Sequence, residues 1–333
     1  MILVRTPLRI CLAGGGTDLQ AYSSRFGGRI ISAAIDKYVY VTLNKHLEDT
    51  YLLKYSKSEQ VNEAKEIRHS IIRAVFELLK ISNGIEMTTF MDLPSQTGLG
   101  SSSSFTVGLI HAVCALTRRN VTKRELAELA IFVEREILGE VGGKQDQFIA
   151  SFGGIHVIQV DKFGAVKIWP LGIGYDIVLS LESRLLMFYT GVRRVSSIVQ
   201  EEVTHHIEGD QKTIDHLHRI KEIGMESENA LFDGDLNEFG LLMDKHWQEK
   251  RSMIDSISSK GIDRIYKLGK ENGALGGKLI GAGGGGFLLF YCLDRQEDLR
   301  RVMMSEGLKE LRFGFENRGG STVVVNSGGV VES

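Results

Sequence analysis

The stretch Asp92–Phe105, DLPSQTGLGSSSSF, decides how the rest of the chain is read. Before and into it, IEMTTFMDL (85–93) alternates apolar and polar residues as a strand does. From Phe105 to Leu116 the apolar residues return at helical spacing. A strand therefore runs through a Gly- and Ser-rich loop into a helix. The first N–H groups of a helix have no partner within it and point out of its end, where the dipole favours an anion. Gly98 and Gly100 let the backbone approach a ligand, and serine hydroxyls donate to phosphate oxygens or ligate a hard cation. Serine is also an ordinary helix cap. Four in succession, Ser101 to Ser104, exceed what capping requires, so the stretch reads as a phosphate-binding loop.

Two further glycine clusters flank it at a distance. Near the N-terminus, RICLAGGGTDL (9–19) ends an apolar run in three glycines, followed by Thr17 and Asp18. Towards the other end lies GGKLIGAGGGGFLLF (276–290), in which GAGGGG satisfies the dinucleotide fingerprint GxGxxG. That fingerprint must open a helix, whereas strand-like FLLFYC follows here, so a nicotinamide site is rejected. A Walker A loop fails too, because neither Lys144 nor Lys278 is followed by Ser or Thr. The HRD and DFG signatures of protein kinases are absent.

Carboxylates follow the phosphate loop in VEREILGEVGGKQDQF (133–148). Thr122 and Glu125 predict a capping box, and Val121 and Leu126 a hydrophobic staple. Leu126, Leu129, Ala130, Val133 and Ile137 then form one apolar stripe. Glu134 lies eight residues past Leu126, roughly 80° round the helix from it, where a carboxylate can lean into a cleft. Asp146 sits in the polar break that follows. Alone, Glu134 and Glu136 read as solvated charges. Beside a phosphate loop they matter more, since Mg²⁺ bridging phosphates takes one or two carboxylates plus waters.

The 333 residues are 43% hydrophobic and 25% charged, ordinary for a globular chain. A net charge of −2 gives no reason to expect nucleic acid or an anionic membrane as partner. Cys11, Cys114 and Cys292 are odd in number and lie in apolar runs, as buried free thiols of a reducing compartment do. No CxxC or HExxH motif suggests a metal held by protein ligands alone. The N-terminus does not read as a signal peptide and no apolar run is long enough to span a membrane, so a cytoplasmic protein is expected. Strands are predicted over 2–12, 29–43, 153–160 and 183–190, a helical region over 60–80, and mostly helix from about 195 to 273. Strands early and helices late favour an α+β fold with two lobes, divided between about 160 and 195. His205 and His206 read as surface residues, and His246 and Trp247 as helix packing.

In order and spacing, PLRICLAGGGTDL, PSQTGLGSSSS and GGKLIGAGGGGF resemble the motifs of the GHMP kinases, named for galactokinase, homoserine kinase, mevalonate kinase and phosphomevalonate kinase. The likeness covers nearly the whole chain. It implies an N-terminal lobe, 1–175, like domain 2 of ribosomal protein S5, and a ferredoxin-like C-terminal lobe, 176–333. ATP and Mg²⁺ are implied at a site between them. Within the superfamily, RTPLRICLAGGGTDL, KYSKSE, GKQDQFIASFGG and FYTG are most similar to bacterial heptose 7-phosphate kinases. Those enzymes phosphorylate the anomeric hydroxyl of D-glycero-D-manno-heptose 7-phosphate, on the way to nucleotide-activated heptose for surface polysaccharide. Fucokinases are similar as well, but carry GGWSDTPP where this chain has GGGTDLQAY.

The resemblance assigns Gly98, Leu99, Gly100, Ser101, Ser102 and Ser103 to the ATP phosphates, and Ser102 and Glu134 to Mg²⁺. Asp146, twelve residues after Glu134, becomes the catalytic aspartate and a sugar contact, with Arg9 beside it. Asp18 becomes a ligand of a sugar hydroxyl. Gly14, Gly15, Gly16, Thr17, Thr190, Gly191 and Arg193 complete the expected sugar site, and Gly281, Gly283, Gly284 and Gly285 the third loop. Gly15 and Gly16 stand where galactokinases carry Glu-His, which is expected to leave room for a longer sugar. Arg193 and Arg194, with Lys144 behind them, are the expected cations for the substrate phosphate, and Tyr55 and Ser56 the nucleotide contacts. The expected partners are a sugar phosphate and ATP, with a homodimer left open. Two alternatives stay open: a kinase of an unphosphorylated sugar such as L-fucose or a hexose, and a regulator that binds sugar and ATP without turnover.

Overall fold

The computed structural model describes residues 1–193 and 196–325. The first lobe is built on β1 (Ile2–Ala13) and β2 (Gly28–Lys45), joined through the short helix α1 (Gln20–Phe26). β3 (Tyr51–Lys54), β4 (Ser58–Val61) and α2 (Ser70–Leu78) follow, then β5 (Ile85–Met91), α3 (Ser101–Leu116), α4 (Lys123–Ile131), α5 (Gln145–Phe152), β6 (Ile155–Val160) and β7 (Val166–Pro170). The long β2 pairs with β1, β5 and β6, so one strand carries most of the sheet. Every pairing is antiparallel except β3 with β5. Helix α3 is buried along most of its length, as its nearly unbroken apolar composition requires, and packs on β1 and β2. The phosphate-loop stretch thus feeds a helix anchored in the core.

The second lobe opens with α6 (Tyr175–Arg184) and β8 (Leu185–Tyr189). Four helices follow: α7 (Ser196–Gly209), α8 (Gln211–Phe232), α9 (Leu236–Arg251) and α10 (Lys260–Glu271). Then come β9 (Ala274–Leu279), β10 (Phe287–Cys292), α11 (Gln296–Ser305) and β11 (Lys309–Leu311). These strands lie in the order β11-β8-β10-β9, all antiparallel. That is the split β-α-β arrangement of a ferredoxin-like sheet. The division at 176–333 is crossed by one pairing: the last strand among the described residues, β12 (Ser321–Val325), returns to pair with β1.

Two expectations are corrected. The region 60–80 is not one helix: Val61 pairs with Tyr51 in the sheet, Glu63 and Glu66 box a single turn at Ala64–Glu66, and α2 begins only at Ser70. Tertiary pairing outweighs helical composition there. The strand expected from residue 183 starts at Leu185, because α6 runs to Arg184. All three cysteines are buried and free. Among the described residues no helix is long and apolar enough to cross a membrane.

The lobes meet through backbone. A Cβ on Gly98 would lie 2.5 Å from the carbonyl oxygen of Ile280, and one on Gly281 would lie 2.6 Å from Cα of Gly98. Both glycines also have positive φ, +83° and +88°. The third glycine motif is therefore glycine because it lies directly on the phosphate loop. Gly281→Ala forces both a left-handed alanine and a backbone clash, each costing about 1–3 kcal/mol. Thermal unfolding of this variant is expected several degrees below wild type; an unchanged midpoint contradicts the packing described.

Candidate active site

Three segments converge on Arg9, which β1 places in the core with 7% of its surface exposed. Its Nε and Nη2 donate to the two carboxylate oxygens of Asp146, each at 2.7 Å. Its Nη1 donates to the Gly98 carbonyl at 2.5 Å, and its backbone N–H to that of Leu99 at 3.0 Å. Burial alone opposes the guanidinium charge, but the Asp146 carboxylate outweighs it and the Arg9 pKa is raised. One side chain thereby ties the first strand, the phosphate loop and the start of α5 together.

Asp18 reaches the same place from the first glycine motif. It is buried, and its Oδ2 accepts the backbone N–H groups of Lys144 (2.8 Å) and Gln145 (3.1 Å) at the N-terminus of α5. Burial raises its pKa, against the opposing pull of those N–H bonds. Asp146 stands in the first turn of α5, so both carboxylates border one cavity. Gly143, in the break that precedes α5, is required here: a Cβ on it would lie 1.9 Å from Oδ2 of Asp18.

Glu134 owes its position to a local irregularity. After α4, residues Phe132–Ile137 open into a wider π turn, with the Leu138 N–H bonded to the Val133 carbonyl five residues back. The stripe expected from α-helical spacing fails at its end, and Ile137 is 42% exposed. Glu134 instead turns inward, with 1% of its surface exposed. Its Oε2 accepts from Ser103 Oγ (2.9 Å) and Gln147 Nε2 (2.5 Å), while its Oε1 is buried with no hydrogen-bond partner. Burial raises its pKa, opposed by the nearby Arg135. A buried carboxylate with an unused oxygen, beside a serine in the first turn of a phosphate-binding helix, fits a divalent cation. The serine hydroxyl that meets Glu134 is that of Ser103; Ser102, the expected partner, is exposed in the same turn.

The remaining sequence-predicted residues divide. Gly15 and Gly16 line the cavity, and a side chain at either would meet a constraint, a close contact at Gly15 and a left-handed backbone at Gly16. A Cβ on Gly15 would lie 2.7 Å from Cys11 Sγ, and Gly16 has φ +97°. Gly14 would meet the Arg29 carbonyl at 2.0 Å, and Thr17 Oγ1 holds the turn through Gly14 O and Arg29 N, so these two shape the motif from behind. Thr190 binds the Gly286 carbonyl through both N–H and Oγ1, at 2.9 Å each, and so secures the third loop. In that loop Gly283 lies against Ile257 and Gly285 against Val192, while the Gly284 N–H bonds the Ile257 carbonyl. Tyr55 stands edge-on to His69, whose ring is 5.3 Å from that of Phe105 in the second turn of α3.

Of the expected cations, neither Lys144 nor Arg193 lines the cavity. Lys144 turns away to the Gly164 carbonyl at 2.5 Å, Gly191 and Arg193 are exposed, and Arg194 lies outside the described residues. The cavity is lined instead by Lys250 of α9 and Lys278 of β9, opposite Asp18 and Asp146. Neither stood out in the sequence, since one sits on an apparently ordinary helix and the other inside a glycine motif.

A two-lobed α+β fold, with a helix-borne phosphate loop facing two carboxylates and a buried guanidinium, defines a phosphotransferase of the GHMP type. The N-terminal domain of GHMP kinases matches residues 64–154 and their C-terminal domain matches residues 227–309. A D-glycero-alpha-D-manno-heptose 7-phosphate kinase of Campylobacter jejuni is 35% identical over 302 residues, 87% of this chain and 89% of that protein. A galactokinase of Pyrococcus furiosus is 28% identical, over 94% of this chain and 95% of its own length. The crystal structure of a D-glycero-D-manno-heptose 1-phosphate kinase from Bacteroides thetaiotaomicron superposes with a TM-score of 0.83 at 26% identity, covering 98% of this chain and all of that one. The chain belongs to the GHMP kinase family and is a sugar kinase, for which ATP is the phosphoryl donor.

Arg9→Lys keeps the charge but loses the planar fork that grips Asp146 and Gly98 together. Turnover is expected to fall by about tenfold or more, with a lower thermal midpoint. Wild-type turnover in steady-state assays contradicts the positioning role.

Proposed function

We propose that this kinase phosphorylates the anomeric hydroxyl of D-glycero-D-manno-heptose 7-phosphate, using ATP and Mg²⁺. The observation that carries the reading is the Asp146 carboxylate, held from behind by Arg9 at the edge of a cavity that Asp18 and Gly281 also line. Phosphoryl transfer depends on positioning and charge compensation more than on covalent chemistry. The N–H groups at the start of α3 and the hydroxyls of Ser101 to Ser103 receive the nucleotide phosphates. Glu134, with Ser102 or Ser103, holds Mg²⁺, which offsets charge on the phosphate oxygens when bound. Asp18 orients a sugar hydroxyl. Asp146 accepts the proton as the anomeric oxygen bonds to the γ-phosphorus and the bond to the β-phosphate oxygen breaks, leaving ADP. An anomeric hydroxyl is more acidic than other sugar hydroxyls, so a carboxylate suffices as base.

What supports this substrate is the 35% identical relative, named for heptose 7-phosphate, beside a solved structure named for heptose 1-phosphate; the galactokinase is less similar in sequence. Three buried free cysteines suit a reducing cytoplasm, where such a sugar phosphate and ATP occur together. A panel of ADP-release assays tests the substrate, with the position of the new phosphate read by phosphorus NMR. Heptose 7-phosphate is expected to exceed mannose, galactose and L-fucose by at least about a hundredfold in kcat/KM, with the product phosphorylated at C1. Equal use of a free hexose or fucose favours a kinase of unphosphorylated sugars. No ADP release with any sugar favours a regulator.

A further inference from the structure

We propose that Lys250 and Lys278 form the dianion site of the cavity and receive the terminal phosphate of the sugar substrate. The inference rests on the heptose 7-phosphate reading above and assigns its recognition to residues on the second lobe.

The charges around the cavity do not balance without a ligand. Arg9 is matched by Asp146, and Asp18 by the N–H groups that open α5. Arg135 lends its guanidinium to the carbonyls of Glu140 and Gly143 and lies 3.8 Å from Glu134. Lys250 and Lys278 are left over. They are 8% and 2% exposed, and among the described residues neither has a carboxylate within ion-pair distance. Each ammonium has one backbone partner, the Gly281 carbonyl for Lys250 and the Leu12 carbonyl, at 3.3 Å, for Lys278. Of the neighbouring groups, Arg9 is itself a cation, while Cys11 and, for Lys250, Asp18 pull the lysine pKa upward without offsetting burial and without forming an ion pair. His246, one turn before Lys250, is fully buried with neither ring nitrogen hydrogen-bonded, and burial plus the two lysine charges hold its pKa well below the usual value.

Burying a cation without a partner is costly, and burying two together is more so. Burial, reinforced by the charge of Lys278, lowers the Lys250 pKa to about 7. Both lysines nevertheless line the cavity that Asp18 and Asp146 border. Two unmatched cations reaching one cavity from a helix and a strand suit a phosphate monoester, whose charge at neutral pH is about −2. The γ-phosphate of the nucleotide has the same chemistry, so the experiment must separate the two sources.

The test compares Lys250→Met and Lys278→Met with wild type on heptose 7-phosphate, on heptose without phosphate, and on ATP. Methionine keeps the apolar stem, so the cavity wall remains filled. Each variant is expected to raise KM for heptose 7-phosphate about thirtyfold or more while KM for ATP stays within about threefold. The preference for the phosphorylated over the free sugar falls by the same thirtyfold. A kcat/KM that falls equally for both sugars, or a KM for ATP that rises in parallel, overturns the proposal and gives the lysines to the transferred phosphoryl group. Unchanged KM values overturn it outright. Wild-type enzyme inactive on heptose 7-phosphate is a different failure, that of the substrate reading itself.

A calorimetric measurement on unaltered enzyme guards against a misfolded variant. At pH 8 the sugar phosphate is already a dianion, while Lys250 is mostly neutral. Binding of heptose 7-phosphate is expected to take up a substantial fraction of a proton, read from the dependence of binding heat on buffer ionisation enthalpy. Lys250→Arg, permanently charged, is expected to bind with clearly less uptake, the remainder coming from Lys278, whose pKa burial also lowers. Proton release, or an uptake undiminished in Lys250→Arg, contradicts the assignment.

Discussion

The buried guanidinium of Arg9 is the constraint on which the site depends. From its strand it donates to a loop and a helix that lie 89 and 137 residues away in sequence, and it satisfies acceptors in both. A fork of this kind fixes direction as well as distance, because both oxygens of Asp146 must face the plane of the arginine. The carboxylate is then presented to the cavity at the mouth of the phosphate loop. The same residue bonds Gly98, whose backbone lies against Gly281. A disturbance at Arg9 therefore reaches the acceptor, the donor and the seam between the lobes together.

Two features of the backbone make that arrangement possible. The glycines of the second and third motifs allow two loops to touch without side chains between them, which brings the second lobe against the proposed donor site. The π turn at Phe132–Ile137 rotates Glu134 out of the pattern of a regular helix and into the core, leaving one oxygen unpaired. Turns of this type recur at functional sites because they redirect a side chain at the expense of helix regularity. Here the exposed Ile137 is part of that expense. Substrate discrimination resides on the facing wall, where the second lobe supplies the cavity's unmatched positive charge.

Much of this was legible in the sequence, for reasons that can be named. The phosphate loop showed itself because its composition broke between a strand pattern and a helix pattern. Thr122 and Glu125 form the capping box their spacing requires. Asp18, Glu134 and Asp146 stood close to glycine clusters or polar breaks, where a carboxylate has no obvious packing role. What escaped depended on contacts across the fold. Gly15 borders the cavity as expected, but the contact a side chain there would make with Cys11 Sγ depends on the fold of the turn. Lys144 looked like a cation for the substrate, yet the turn between β6 and β7 captures it. Lys250 and Lys278 carry no local signal, because their meaning lies in the absence of a nearby carboxylate. The return of β12 to the first sheet is likewise a long-range pairing that composition does not announce.

The central claim is that Asp146, held by Arg9, takes the proton of the sugar hydroxyl during transfer. Its most direct test is the single-turnover rate of Asp146→Asn, with ATP binding measured on the same protein. Asparagine preserves shape and can still accept from Arg9, but it is no base. A rate lower by about 10²–10⁴-fold, with the dissociation constant for ATP within about threefold of wild type, is the result predicted. Transfer at the wild-type rate would contradict the account.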